Sequence, residues 1–147
     1  MFTHDIETRV HIRASASRVW SVLTDFECYP QWNPFVRAVS GDLREGEVLS
    51  VLVQPAGGSA MRFAPQLKAV QPQKMLSWKG TLLFPGLFDG IHEFVIQPTD
   101  DGVHLFHNER FSGCLVPVLR RILERGTRPG FVAMNEALRA RCEDAAN

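Results

Sequence analysis

The chain lacks the motifs by which most enzymes announce themselves. It has no GxSxG elbow, no HExxH helix, no dinucleotide fingerprint and no Ser or Cys nucleophile beside a motif partner. Hydrolase, metallopeptidase and nicotinamide chemistry therefore lose their usual sequence support, whereas acid–base chemistry inside a pocket needs no signature and stays open. Gly57-Gly58-Ser59 lacks the lysine and the following helix of a phosphate loop and reads as a hairpin turn. Cysteine is scarce: Cys28, Cys114 and Cys142 are odd in number, far apart and free of CxxC spacing. That argues against a disulfide framework or a structural metal site and suits a reducing cytoplasm. Met1-Phe2-Thr3-His4-Asp5 shows no charged region followed by an apolar run, so no signal peptide is expected. No apolar stretch approaches the ~20 residues needed to span a bilayer. An excess of charge is missing too, since 16 basic residues meet 16 acidic ones, leaving no electrostatic footprint for nucleic acid or an anionic membrane. Arg120, Arg121, Arg125 and Arg128 do cluster, but Glu124 interrupts them and a solvated helix face results.

What the chain has is apolar ring surface. Ten Phe and three Trp stand against one Tyr, so some rings are expected to line a cavity instead of filling a core. With 45% apolar and 22% charged residues, the chain reads as one globular domain over residues 1–147.

Residues 5–13 alternate, with Ile6, Thr8, Val10 and Ile12 on one face and Glu7, Arg9, His11 and Arg13 on the other, the pattern of a half-buried strand. Ser15 offers a helix N-cap, and Ala16, Val19, Trp20 and Leu23 follow at helical spacing, which makes Trp20 a core residue. A second helical turn runs from Asp25 to Trp32 and stops before Pro34. From Phe35 to Gly113 the chain reads as a meander with strands at 36–40, 47–54, 61–70, 75–82, 90–97 and 103–112, punctuated by Gly and Pro. The last third is helical. Leu115, Leu119, Ile122 and Leu123 make one apolar stripe, Phe131, Met134, Leu138 and Cys142 continue it, and Pro129-Gly130 predicts a kink or break.

One strand, two small helices, six strands and a long helix is a restrictive order. It gives an α+β fold in which one curved antiparallel sheet buries its concave face on the C-terminal helix, leaving an apolar pocket between them. That order, with Ala14 to Phe26, Tyr29-Pro30-Gln31-Trp32-Asn33-Pro34-Phe35, Leu76-Ser77-Trp78-Lys79-Gly80, His92-Glu93-Phe94 and Glu109-Arg110-Phe111-Ser112-Gly113, resembles the START-like or SRPBCC superfamily. This is the helix-grip fold, and the polyketide cyclase/dehydratase-like branch is the nearest in likeness. The resemblance covers nearly the whole chain. It implies a pocket, since its members include aromatic polyketide cyclases, plant hormone-binding proteins, lipid-transfer domains and ubiquinone-binding proteins. It implies no metal or cofactor, and function belongs to the site, not the fold.

The chemically suggestive residues fall on one hairpin. If the loop between strands 90–97 and 103–112 holds an even number of residues, Ile96 opposes Leu105, Phe94 opposes His107 and His92 opposes Glu109. The inner face would then carry His92, His107 and Glu109 among Phe94, Ile96, Leu105 and Phe111. Two readings stand: the three groups bond one another and orient a ligand, or they move protons in a cyclisation or dehydration. Phe84-Pro85-Gly86-Leu87-Phe88 reads either as a gate at the pocket mouth or as closure of one end of the core. Trp32 and Phe35 cap the other end or simply pack. Trp78, Phe131, Met134 and Leu138 complete the candidate lining, while His4, His11 and His104 need no special role. The leading expectation is a binder of a hydrophobic small molecule: a lipid, a polyketide-like aromatic or a quinone. The alternatives are a polyketide cyclase/dehydratase-type enzyme using His92 and Glu109, and a chaperone-like or ribosome-associated interaction protein. Against the last, the first strand turns Glu7, Arg9, His11 and Arg13 outward.

Overall fold

The alternating stretch at the start of the chain forms β1 (Thr3–Ile12), which buries Ile6, Val10 and Ile12 on one face. In the computed structural model, residues 2–144 are described. Met1 and residues 145–147, part of the expected span 1–147, lie outside the described residues. Ser15 caps α1 (Ala16–Thr24), its hydroxyl accepting from the Arg18 amide at 3.0 Å. Trp20 is half-buried and packs against the core instead of sitting wholly inside it. A 3₁₀ turn (Phe26–Cys28) leads into α2 (Tyr29–Trp32). Asn33 then ends the helix, its side-chain oxygen accepting from the amides of Phe35 and Val36 at 3.0 and 2.8 Å. Pro34 excludes a further helical turn.

Seven strands follow, not six, and they make two sheets, not one. β2 (Val36–Ser40), β3 (Ser50–Val53) and β4 (Met61–Phe63) form a three-stranded sheet. β5 (Gln66–Gln71), β6 (Met75–Thr81), β7 (Asp89–Thr99) and β8 (Gly102–Ser112) join β1 in the order β1-β8-β7-β6-β5. Every pairing is antiparallel, and the sheets meet at one bridge, Val48 with Gln66. The strand expected over 61–70 is cut at Ala64-Pro65. Proline has no N–H to give to a ladder, and the Pro65 carbonyl instead takes the Leu49 amide at 2.8 Å.

The C-terminal helix closes the fold. α3 (Val116–Ile122), a π-helical segment (Leu123–Thr127) and α4 (Arg128–Glu143) run as one rod. No break occurs at Pro129-Gly130. The irregularity lies one turn earlier, where the widened turn accommodates the amide that Pro129 lacks. The Gly126 carbonyl accepts from Ala56 N at 3.2 Å, tying the rod to the β3–β4 connection. The widened turn also shifts the helical phase, so the expected single stripe fails upstream: Leu123 is buried but Ile122 points outward. Downstream it holds, with Phe131, Met134, Leu138 and Cys142 buried against β1 and α1. A β-carbon at Gly130 would overlap the Phe35 ring, so glycine there lets Phe35 lie on the helix backbone. No helix of the described residues is long and apolar enough to cross a membrane.

Candidate functional site

A two-residue turn, Asp100-Asp101, closes the β7–β8 hairpin, with Thr99 opposite Gly102. That even turn sets the register: Ile96 faces Leu105, Phe94 faces His107, His92 faces Glu109 and Gly90 faces Phe111. All eight side positions point to the side covered by α4. His92 and His107 are buried there among rings. Phe131 of α4 stacks on His107 at 4.0 Å between centroids and 8° between planes. Trp78 and Phe94 lie 4.9 Å from His92. Phe35 meets the far edge of Phe131 at 5.4 Å.

The polar groups form a chain across this apolar interior. Glu109 Oε1 lies 3.2 Å from His92 Nδ1, and His92 Nε2 lies 2.8 Å from His107 Nε2. His107 Nδ1 is 2.7 Å from Asn135 Oδ1 on α4. The Asn135 amide donates to the Thr8 hydroxyl at 2.9 Å, and that hydroxyl donates to the His107 carbonyl at 2.6 Å. With the amide group of Asn135 turned to Thr8, its oxygen must accept, so the proton on His107 sits on Nδ1. Burial, and next the neighbouring His92, hold the His107 pKa well below the usual imidazole value, although the Asn135 bond opposes them. His107 is therefore neutral near pH 7. Its Nε2 carries a lone pair, and His92 Nε2 supplies the hydrogen between the rings.

The expected site residues divide into three groups. Trp78, His92, Phe94, His107 and Phe131 meet in one ring cluster, with Met134 and Leu138 fully buried on the same helix. Phe88 and Phe111 stack at 5.4 Å and 14° beside Glu109. The other two stand apart. Phe84 is 56% exposed on the β6–β7 loop. Trp32 contacts Tyr29 and borders a surface cleft of about 80 Å³ with Arg18, Asp25, Cys28 and Arg141. A second shallow cleft, about 300 Å³, lies at His11, Arg13, Arg139 and Glu143. Neither borders His92. Around His92 the rings of Trp78, Phe94, His107 and Phe131 close to within 5.0 Å between centroids.

Asn135, Thr8 and Gly90 were not singled out from the sequence. Asn135 follows Phe131 by one turn and so shares its face, which was the available signal. Thr8 sat on the inner face of the first strand, and only its distant partner gives it a role. The arrangement can exchange a proton between carboxyl and imidazole and can offer hydrogen bonds to a ligand oxygen. It is poorly suited to a metal, because all four imidazole nitrogens are engaged with protein groups.

A sequence model of the family described as "Polyketide cyclase / dehydrase and lipid transport" matches residues 3–143. Among solved structures, the chain is similar to the Zhui aromatase/cyclase of a Streptomyces species, with 18% identity and a TM-score of 0.80 over 99% of this chain and 97% of that one. Norcoclaurine synthase of Thalictrum flavum, solved as a point mutant with a transition-state analogue, shares 15% identity with a TM-score of 0.77, covering 99% and 98%. The di-domain aromatase/cyclase StfQ of the steffimycin biosynthetic pathway gives 16% and 0.79 over 98% of this chain. The chain spans about half of that protein, 52% of its length. At these identities the likeness is one of fold. No curated protein matches the chain in sequence.

Proposed function

The chain belongs to the polyketide cyclase/dehydrase and lipid transport family, within the START-like superfamily, and from that premise we propose that it binds a hydrophobic small molecule between the β7–β8 face and α4. A lipid, a polyketide-like aromatic or a quinone fits the reading. One observation carries it: Glu109, His92 and His107 lie in line on an inner face otherwise made of aromatic rings. An apolar interior that only had to fold would gain by omitting them, since each buried polar group risks about 1–3 kcal/mol if left unpaired. Apolar walls with a few convergent polar groups are the composition of small-molecule sites. The β6–β7 loop supports a route in, because Leu83 is 84% exposed with φ +62° and Phe84 stands out beside it. Uptake requires Phe88 to leave the Phe111 ring.

A second reading is favoured by the bonded Glu109–His92–His107 series. Such a relay suits the proton transfers of a cyclisation or dehydration, as aromatase/cyclases of this fold suggest. Native mass spectrometry of freshly purified protein, followed by incubation with fatty acids, quinones and aromatic polyketides, tests the binding reading. A co-purified or added apolar ligand in one-to-one ratio is the expected result. No uptake of any of the three classes would overturn it. Product formation from a bound polyketide, lost in His92→Ala while the ligand still binds, would establish the second reading.

A further inference from the structure

His92 is the residue that invites a direct chemical role, yet it is shut in. Its Nδ1 and Nε2 both meet protein partners, rings lie on it from Trp78, Phe94, His107 and Phe131, and its side chain is only 6% exposed. Glu109 is different. Its side chain is 16% exposed, Oε1 holds His92, and Oε2 has no hydrogen-bond partner among the described residues. That free oxygen sits over Gly90, where any β-carbon would overlap it. The Phe111 ring flanks the same point, its nearest carbon 3.5 Å from the β-carbon position. Glycine at 90 is thus the seat of the carboxylate, next to the Phe88–Phe111 stack.

The proton count along the chain adds to this. Asn135 fixes the His107 proton on Nδ1, so His92 must give Nε2–H to His107. On its other side His92 Nδ1 lies 3.2 Å from Glu109 Oε1, so the inner carboxyl oxygen is committed to the ring and Oε2 is the one that turns outward.

Resting on the binding reading above, we infer that Glu109 Oε2, seated on Gly90, is the group that meets the ligand, and that it selects aromatic molecules bearing a hydroxyl donor: phenols or enols. His92, His107 and Asn135 are positioning residues behind it. A flat ring takes the place of Phe88 against Phe111, and its hydroxyl donates to Oε2.

Fluorescence titration with 2-naphthol and 2-methoxynaphthalene tests this, because the two share a ring system and only the first can donate. The wild type should bind 2-naphthol about tenfold more tightly, the size of one charge-assisted hydrogen bond. Glu109→Leu removes the acceptor and Gly90→Ala displaces it. In each, the preference should fall to near unity; retained binding of 2-methoxynaphthalene by Glu109→Leu shows that the ring still enters, and an unchanged far-UV circular dichroism spectrum of both variants reports an intact fold. Equal affinities in the wild type, or a preference that survives Gly90→Ala, would overturn the inference and leave the binding reading standing. Uptake of neither naphthalene would count against that reading, and the inference would fall with it.

Discussion

Strands β1 and β8 carry two polar cross-strand arrangements, three residues apart and on opposite faces. On the inner face, Thr8 lies opposite His107 and the two are joined through Asn135. On the outer face, Asp5 lies opposite Arg110, whose guanidinium grips the carboxylate in a fork at 2.7 and 2.9 Å. The outer pair has full charges and near-ideal geometry, and Arg110 holds the Asp5 carboxyl below its ordinary pKa through that hydrogen bond. By contacts alone it is the stronger. In water its removal is compensated by solvation, whereas the uncharged inner groups have nothing but one another. Exposure, not bond strength, decides what a polar pair contributes.

Four experiments press on that contrast. The largest effect is expected from Phe131→Ala, which strips the ring off His107 and leaves a void beneath Phe35. Stability should fall by about 3–5 kcal/mol, read as a lower denaturant midpoint. Asn135→Ala leaves the His107 Nδ1–H without its acceptor and should cost about 1–3 kcal/mol. A loss under 0.5 kcal/mol, roughly the exposed-pair range, would erase the difference between the faces. Next comes acid. Native His107 resists protonation, while the unfolded chain takes up a proton as pH drops below about 6.5, so acid favours unfolding. Wild-type stability should therefore fall faster than that of His107→Gln below that pH, by at most about 1.4 kcal/mol per pH unit. Parallel pH profiles would show that His107 titrates normally. Arg110→Ala should do least, under about 1 kcal/mol, and less again in molar salt.

Much of this site follows from parity. Alternation in β1 and an even turn after β7 suffice to put Ile6, Thr8, His92, His107 and Glu109 on one side of the sheet, because strand side chains repeat every two residues. The capped start of α1 and its end ahead of Pro34 were equally legible, since each depends on neighbours in sequence. Pro65 was legible in principle as a strand break, since proline has no N–H for a ladder. The close packing of rings around His92 was not legible. Whether Phe94, Phe131 and Trp78 line a gap or close it depends on ring angles set by residues far apart in the chain. Nor did the sequence show where the C-terminal helix would widen: Pro129 is the disturbance, and the strain is taken up at Leu123–Thr127.

That widened turn makes the helix a shaft in two sections, joined out of phase. Each residue of an α-helix advances about 100°, so deleting one residue from Leu123–Thr127 would restore a regular helix and rotate Val116–Ile122 by roughly that angle. The rotation would not stop there. The amides of Cys114 and Leu115, at the head of the shaft, hold the carbonyls of Gly86 and Leu87 at 3.1 and 3.0 Å. Those two residues immediately precede Phe88. The aromatic ring at the mouth is thereby geared to the helix through a count of residues, and one tooth more or fewer would leave it facing another way.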